Sequence, residues 1–171
     1  MRRIGFALLV VLLGASGWAQ EHKLTINTET PEGQLLALIG QEADEAKKLA
    51  LMEDFAGKYP KHEAIAWVYE QMYPAFQKAN QFDKGLTVCD KLLTVDPGDA
   101  RSAHGCLKIA EATKNPDTIK AWSERGSAIA RKVAASPKPA DEEEAEAWKT
   151  RVDFAKQFDL YTEYSLYAAA L

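Results

Sequence analysis

Asn80-Gln-Phe-Asp-Lys-Gly-Leu-Thr-Val-Cys-Asp-Lys-Leu-Leu-Thr-Val-Asp-Pro97 is the stretch whose reading decides the fold. A polar turn, Asn80-Gln81, leads into a segment whose apolar residues, Leu86, Cys89, Leu92 and Leu93, recur at helical spacing. Asp96-Pro97 stops it, because proline brings no N–H to the helical ladder and its ring clashes with the preceding turn. Upstream, Ala66 to Ala79 reads as another amphipathic helix, so the unit is helix, turn, helix, proline over residues 66–97. A lone helical hairpin cannot bury its apolar face, so the pattern requires stacked neighbours.

On these residues the chain resembles the tetratricopeptide repeat (TPR) family. Phe82, Gly85, Cys89, Leu92 and Asp96-Pro97 occupy the signature slots of the repeat's second helix, and Tyr69, Met72 and Phe76 suit those of its first. Tyr73 departs from the pattern, which has Gly or Ala there. Gly85, the slot that faces it in the family, is expected to make room. The match covers about residues 66–97 and is degenerate elsewhere. It implies a right-handed α-solenoid of stacked antiparallel helix hairpins, all-α throughout.

Outward from that unit, proline stops recur. Pro60 and Pro97 are 37 residues apart, and Pro137 follows 40 later. Gln81-Phe82-Asp83 returns as Gln157-Phe158-Asp159 after 76 residues, twice 38. These spacings divide residues 31–171 into units of about 31–60, 61–97, 98–137 and 138–171. In the first, Thr30-Pro31-Glu32 is a helix start, a capping hydroxyl followed by proline and an acid. Leu35, Leu36, Leu38 and Ile39 form its apolar side. The stretch 42–58, with Ala46, Leu49, Ala50, Met52 and Phe55, supplies the second helix. In the third unit Ala100, Ala103, Cys106, Leu107 and Ala110 share one face. Asn115-Pro116-Asp117 then caps a partner helix bearing Ile119, Trp122, Ile129, Ala130 and Val133. Asp141 to Glu144 opens the last unit. Four acids there favour the positive end of a helix dipole, and they lack the alternating spacing and turn glycine of a calcium loop. Trp148, Val152, Ala155 and Phe158 continue the core stripe, and Tyr161, Tyr164 and Tyr167 suggest a further helix.

The N-terminus has a different character. Arg2-Arg3, the apolar run Ile4 to Leu13 and the small-residue stretch ending at Ala19 have the layout of a secretory signal peptide. The run is about half the length needed to span a bilayer. Cleavage after Ala19 leaves 152 residues, with residues 20–30 as an extended lead-in. The net charge of the whole chain is −4. Loss of two arginines makes it −6, 19 basic residues against 25 acidic. A mildly acidic exported chain does not suit nucleic acid, which attracts a basic patch. The expected location is the periplasm or the extracellular space, with no stable membrane span after cleavage.

Motifs for chemistry are missing. His22, His62 and His104 form no zinc-binding pair, and the chain has no Cys-x-x-Cys, G-x-S-x-G, P-loop or dinucleotide-binding glycine fingerprint. The expectation is a non-enzyme with no cofactor and no metal. Cys89 and Cys106 lie 17 residues apart on adjacent helices. Export permits a disulfide between them, while both also sit on apolar faces where cysteine packs as a small hydrophobe.

The function the resemblance implies is a scaffold for protein–protein interaction in the periplasm or cell envelope. It assigns Trp67, Glu70, Pro74, Gln77 and Lys78 in the best repeat to the concave, partner-binding face, and Arg101, His104, Lys108 and Glu111 in the next. Trp67 is either an anchor for a bound segment or inter-repeat core. Two other classes stay open. One is a periplasmic helical protein holding a small molecule among Trp67, Trp122 and Trp148. The other is the N-terminal part of a longer envelope-assembly protein, favoured by an uncapped final helix running to Leu171.

Overall fold

A computed structural model describes residue 24 and residues 26–171. The signal-peptide reading and His22 lie outside the described residues. Seven helices and no strand are present among the described residues: α1 Pro31–Gln41, α2 Glu45–Lys58, α3 Ile65–Lys78, α4 Phe82–Val95, α5 Ala100–Ala112, α6 Pro116–Ala134 and α7 Glu142–Ala169.

Short-range chemistry sets the boundaries. Thr30 and Asn115 cap α1 and α6 with their side chains, accepting from the N–H of Gly33 at 3.2 Å and of Thr118 at 3.0 Å, each ahead of a proline at the first helical position. Asp99 and Asp141 do the same for α5 and α7. At the end of α3 the chain turns through Asn80 in the left-handed region, φ 56°. Gln81 N–H then reaches back to the Phe76 carbonyl and Asn80 N–H to that of Gln77. Pro60, Pro97 and Pro137 each follow the second helix of a pair, after α2, α4 and α6.

The chain divides into two units, one ending at Met72 and the other starting at Tyr73. In the first, α1 packs on α2. Leu36, Ile39, Met52 and Phe55 are buried, whereas Leu38 is exposed, as are Ala46 and Ala50. The apolar stripe of this hairpin is therefore narrower than its sequence suggests. Phe55 packs against Tyr59, tilted, and against His62, edge-on, with ring centroids 5.2 and 5.4 Å away.

In the second unit, α4 packs on α5, α5 on α6 and α6 on α7, and α5 also meets α7. Consecutive helices thus lie side by side, with α5 and α7 adjacent across the α6 turn. This is the stacking of an all-α solenoid. One core runs through it, from Cys89 and Leu93 through Ala103, Cys106, Leu107, Ile109 and Ala110 to Trp122, Ala130, Ala155 and Phe158.

Three sequence expectations change. The last unit is not a hairpin: α7 is one continuous helix of 28 residues, so Tyr161, Tyr164 and Tyr167 extend it instead of starting another. Nothing between Phe158 and Tyr167 supplies a turn, and the segment has neither glycine nor proline. The Gln-Phe-Asp echo is not structural, because Gln81 stands just before the start of α4 while Gln157 lies mid-α7. Finally, Gly85 does not make room for Tyr73. A Cβ at Gly85 would meet Ile109 at 3.2 Å, whereas the Tyr73 ring fills the space over Gly105, where a Cβ would stand 2.7 Å from its hydroxyl.

Candidate functional site

Helix α5 carries four of the nine residues assigned to a partner-binding face. Its buried side holds Ala103, Cys106, Leu107 and Ala110, which forces Arg101, His104, Lys108 and Glu111 onto a half-exposed ridge beside it. The structure brings these four together with one face of α7. The Arg101 guanidinium lies over the Phe154 ring, 5.3 Å from its centroid. His104 sits among Phe154, Phe158 and Tyr161, with centroids 5.9, 5.2 and 5.3 Å away and the rings edge-on. Lys108 Nζ lies over the Tyr161 ring and bonds its hydroxyl.

Glu111 closes this row. Its Oε1 accepts from the Tyr161 hydroxyl at 2.6 Å and from the Ser165 hydroxyl, and its Oε2 from Lys108 Nζ at 3.0 Å. Burial opposes the negative charge, but the hydroxyls of Ser165 and Tyr161 and the ammonium of Lys108 outweigh it and hold the carboxyl below its ordinary value. Lys108 is the mirror case. Burial works against its charge, and the bonds to Tyr161 and Glu111 raise its pKa in spite of it. Burial among the aromatic rings lowers the pKa of His104, and the nearby positive Lys108 adds to this. At neutral pH the ridge therefore presents a cation, a neutral imidazole and a neutralised ion pair on an aromatic floor.

The α3 candidates fall in two places. Trp67 and Glu70, both half-buried, belong to the first unit, while Pro74, Gln77 and Lys78 belong to the second, with Lys78 exposed. Helix α3 continues through Pro74 to Lys78. Sequence reasoning did not find the α7 side of the ridge, namely Phe154, Tyr161 and Ser165. Phe154 fell between two residues read as core, and Ser165 carried no motif. The i, i+4, i+7 and i+11 spacing of Phe154, Phe158, Tyr161 and Ser165 down a single long helix was the available signal once that helix is taken as unbroken.

The other elements of chemistry are modest. An open cleft of about 270 Å³ is lined by Glu111, Ile119, Tyr161, Tyr164, Ser165, Ala168 and Ala169, without a tryptophan. Trp122 lies in the core with Arg125 over its ring, and Trp148 is half-buried, its indole N–H donating to the Ser136 carbonyl and hydroxyl. No three His, Cys, Asp or Glu side chains converge among the described residues. No described helix is long and apolar enough to cross a membrane. Cys89 and Cys106, both fully buried, are joined by a disulfide between α4 and α5 with a Cα–Cα distance of 5.8 Å.

No family model matches the chain, and no curated protein matches it either. Among solved structures, the crystal structure of PcrH from Pseudomonas aeruginosa is similar over 73% of this chain and 91% of that one, at 15% identity and a TM-score of 0.47.

Proposed function

We propose that the chain is a non-catalytic TPR-like scaffold that holds a protein segment in the periplasm or cell envelope. The observation that carries this reading is the α5 ridge. Arg101, His104, Lys108 and Glu111 stay half-exposed along a rigid helix, backed by Phe154 and Tyr161. Aromatic area beside fixed charges suits an extended peptide: rings supply contact at small entropic cost, and charges set its register. The resemblance also assigns Trp67 and Glu70 in the first unit, and Pro74, Gln77 and Lys78 in the second, to partner binding, with Trp67 as an anchor. The disulfide supports export, since such bonds persist in oxidising compartments.

Crosslinking pulldown from envelope extracts, with Arg101→Ala and Trp67→Ala run alongside, tests this reading. A partner captured by the native chain should be lost from both variants, each weakened by about tenfold or more if it removes a hot spot. Capture unchanged in both would refute the surface, and the chain recovered only in the cytoplasmic fraction would refute the location.

A small-molecule reading rests on the cleft beside Glu111. Its volume of about 270 Å³ is at the lower edge of ligand pockets, which start at about 300 Å³.

A further inference from the structure

The cleft at the end of α5 has a chemistry of its own. Ile119 of α6 and Tyr161 and Tyr164 of α7 give it apolar and aromatic walls, and Glu111 is the one charged residue that lines it. The hydrogen bonds around that carboxylate fix what it presents. Tyr161 and Ser165 both give their hydroxyl protons to Glu111 Oε1, while Lys108 donates to Oε2 and to the Tyr161 oxygen. A hydroxyl has a single proton to give and a carboxylate has none. What Glu111, Tyr161 and Ser165 keep for a ligand is therefore acceptor lone pairs alone. A carboxylate has about four acceptor positions. Tyr161, Ser165 and Lys108 fill all but one, which lies on Oε2.

The surroundings carry the same sign. The faces of the Tyr161 and Tyr164 rings are electron-rich and attract cations. Glu111 stands in the last turn of α5, at the negative end of the helix dipole, and that turn has no basic residue. The whole chain has a net charge of −4, which favours basic partners. The same groups already hold one ammonium, since Lys108 Nζ lies 4.3 Å from the Tyr161 ring centroid while it bonds Glu111 at 3.0 Å. Lys108 is not among the residues that line the cleft, so it leaves that side of the carboxylate open. Its side chain is 43% exposed, and water screens its repulsion of a second cation. Size narrows the occupant further. About 270 Å³, open to solvent, suits one long side chain better than a drug-sized molecule.

We propose that the cleft formed by Glu111, Tyr161, Tyr164 and Ser165 receives a lysine or arginine side chain of the protein segment that the scaffold holds. The apolar stem lies against Ile119 and the tyrosine rings and the charged head meets Glu111, the division that long basic side chains favour. This assignment rests on the scaffold reading and adds the chemical class of the segment to it.

Amide NMR titrations of the full-length chain, disulfide formed, test this with n-butylammonium, a lysine side chain without its backbone, and with n-butanol as its uncharged counterpart. Butylammonium should shift the amide signals of Glu111, Ile119, Ser165 and Ala168 saturably, with a dissociation constant on the order of 1–10 mM. Butanol should bind about tenfold more weakly or worse. A blocked pentapeptide with one lysine among glycines should move the same signals with similar affinity. Glu111→Gln should weaken butylammonium binding by about tenfold. Tyr164→Leu removes a ring that is 66% exposed and leaves the bonds to Glu111 in place, so it should cost about threefold with an unchanged circular dichroism signal. That second variant keeps the test decisive where Glu111→Gln disturbs the fold. Absence of saturable shifts overturns the proposal, as does butanol binding as well as butylammonium, or binding indifferent to Tyr164→Leu. Butylammonium bound and the peptide refused overturns the assignment to a protein segment and leaves a site for a free amine. The titration needs no captured partner, so it can fail while the envelope pulldown succeeds, and succeed while the pulldown fails.

Discussion

His104 shows how one residue carries the physics of the ridge. Burial among Phe154, Phe158 and Tyr161 disfavours the imidazolium, and Lys108 one turn on adds like-charge repulsion, while Glu111 pulls the other way and loses. The folded pKa lies below the ordinary 6.5, so near that value the unfolded chain binds more protons than the folded one. Stability contributed by His104 is thus fully present above about pH 6.5 and is lost as pH falls through the lower folded value. Denaturant titrations across this range should show a falling midpoint on acidification, and His104→Phe should flatten that slope while keeping the aromatic contacts. Glu111 acts with the same sign further down, because its folded pKa also lies below the ordinary 4.5 and its share disappears only at more acidic pH. His104 was legible in the sequence as a residue on this side of α5. Its neutral state was not, since the rings that enforce it lie some 50 residues away on α7.

At the scale of elements, helix starts and stops were the most readable part of the chain, because caps and prolines act within a few residues. Thr30-Pro31, Asn115-Pro116 and Asp96-Pro97 mark boundaries the structure keeps. What local chemistry could not give was which helices approach closely. Tyr73 settles over Gly105 and not Gly85, a choice made by the crossing of α5. Another close crossing of this kind joins α6 to α7. There a Cβ at Gly126 would stand 2.7 Å from Phe158 Cζ and 3.3 Å from the Thr162 methyl. Phe158 is nearly fully buried and flanked by His104, so its ring has little room to retreat. Gly126→Ala should therefore destabilise the fold by about 1–3 kcal/mol despite the better helix propensity of alanine, read as a lower denaturant midpoint with an unchanged slope. An equal or higher midpoint would mean that α7 can slide outward freely. Across the same crossing, Asp159 accepts from the Ser127 hydroxyl at 2.6 Å and Arg131 Nε at 2.9 Å. Burial opposes its charge, yet these two groups hold its carboxyl below the ordinary value.

For the whole molecule, stacked hairpins bury little per helix, so links between successive helices matter more than in a bundle. In the second unit the covalent link is Cys89–Cys106, which ties α4 to α5 across the Pro97 turn. Two cysteines 17 residues apart on neighbouring apolar faces could have been separate small hydrophobes. Helix packing placed their Cα atoms 5.8 Å apart, within bonding reach. Closing a loop of that length restricts the unfolded chain by about 3 kcal/mol, a large share of the 5–15 kcal/mol (roughly) that holds a domain together. Cys89→Ala with Cys106→Ala, which keeps both sites apolar and free of unpaired thiols, should lower unfolding stability by about that amount while leaving the helical circular dichroism signal in place. Reduction of the native chain should follow the same curve only after unfolding, because both sulfurs are fully buried and a reductant reaches them through the open state. If reductant shifts the folded chain as fast as it cleaves an exposed disulfide, α4 and α5 separate far more readily than their shared core implies, and the solenoid's continuity at Pro97 would rest on the covalent bond instead of on packing.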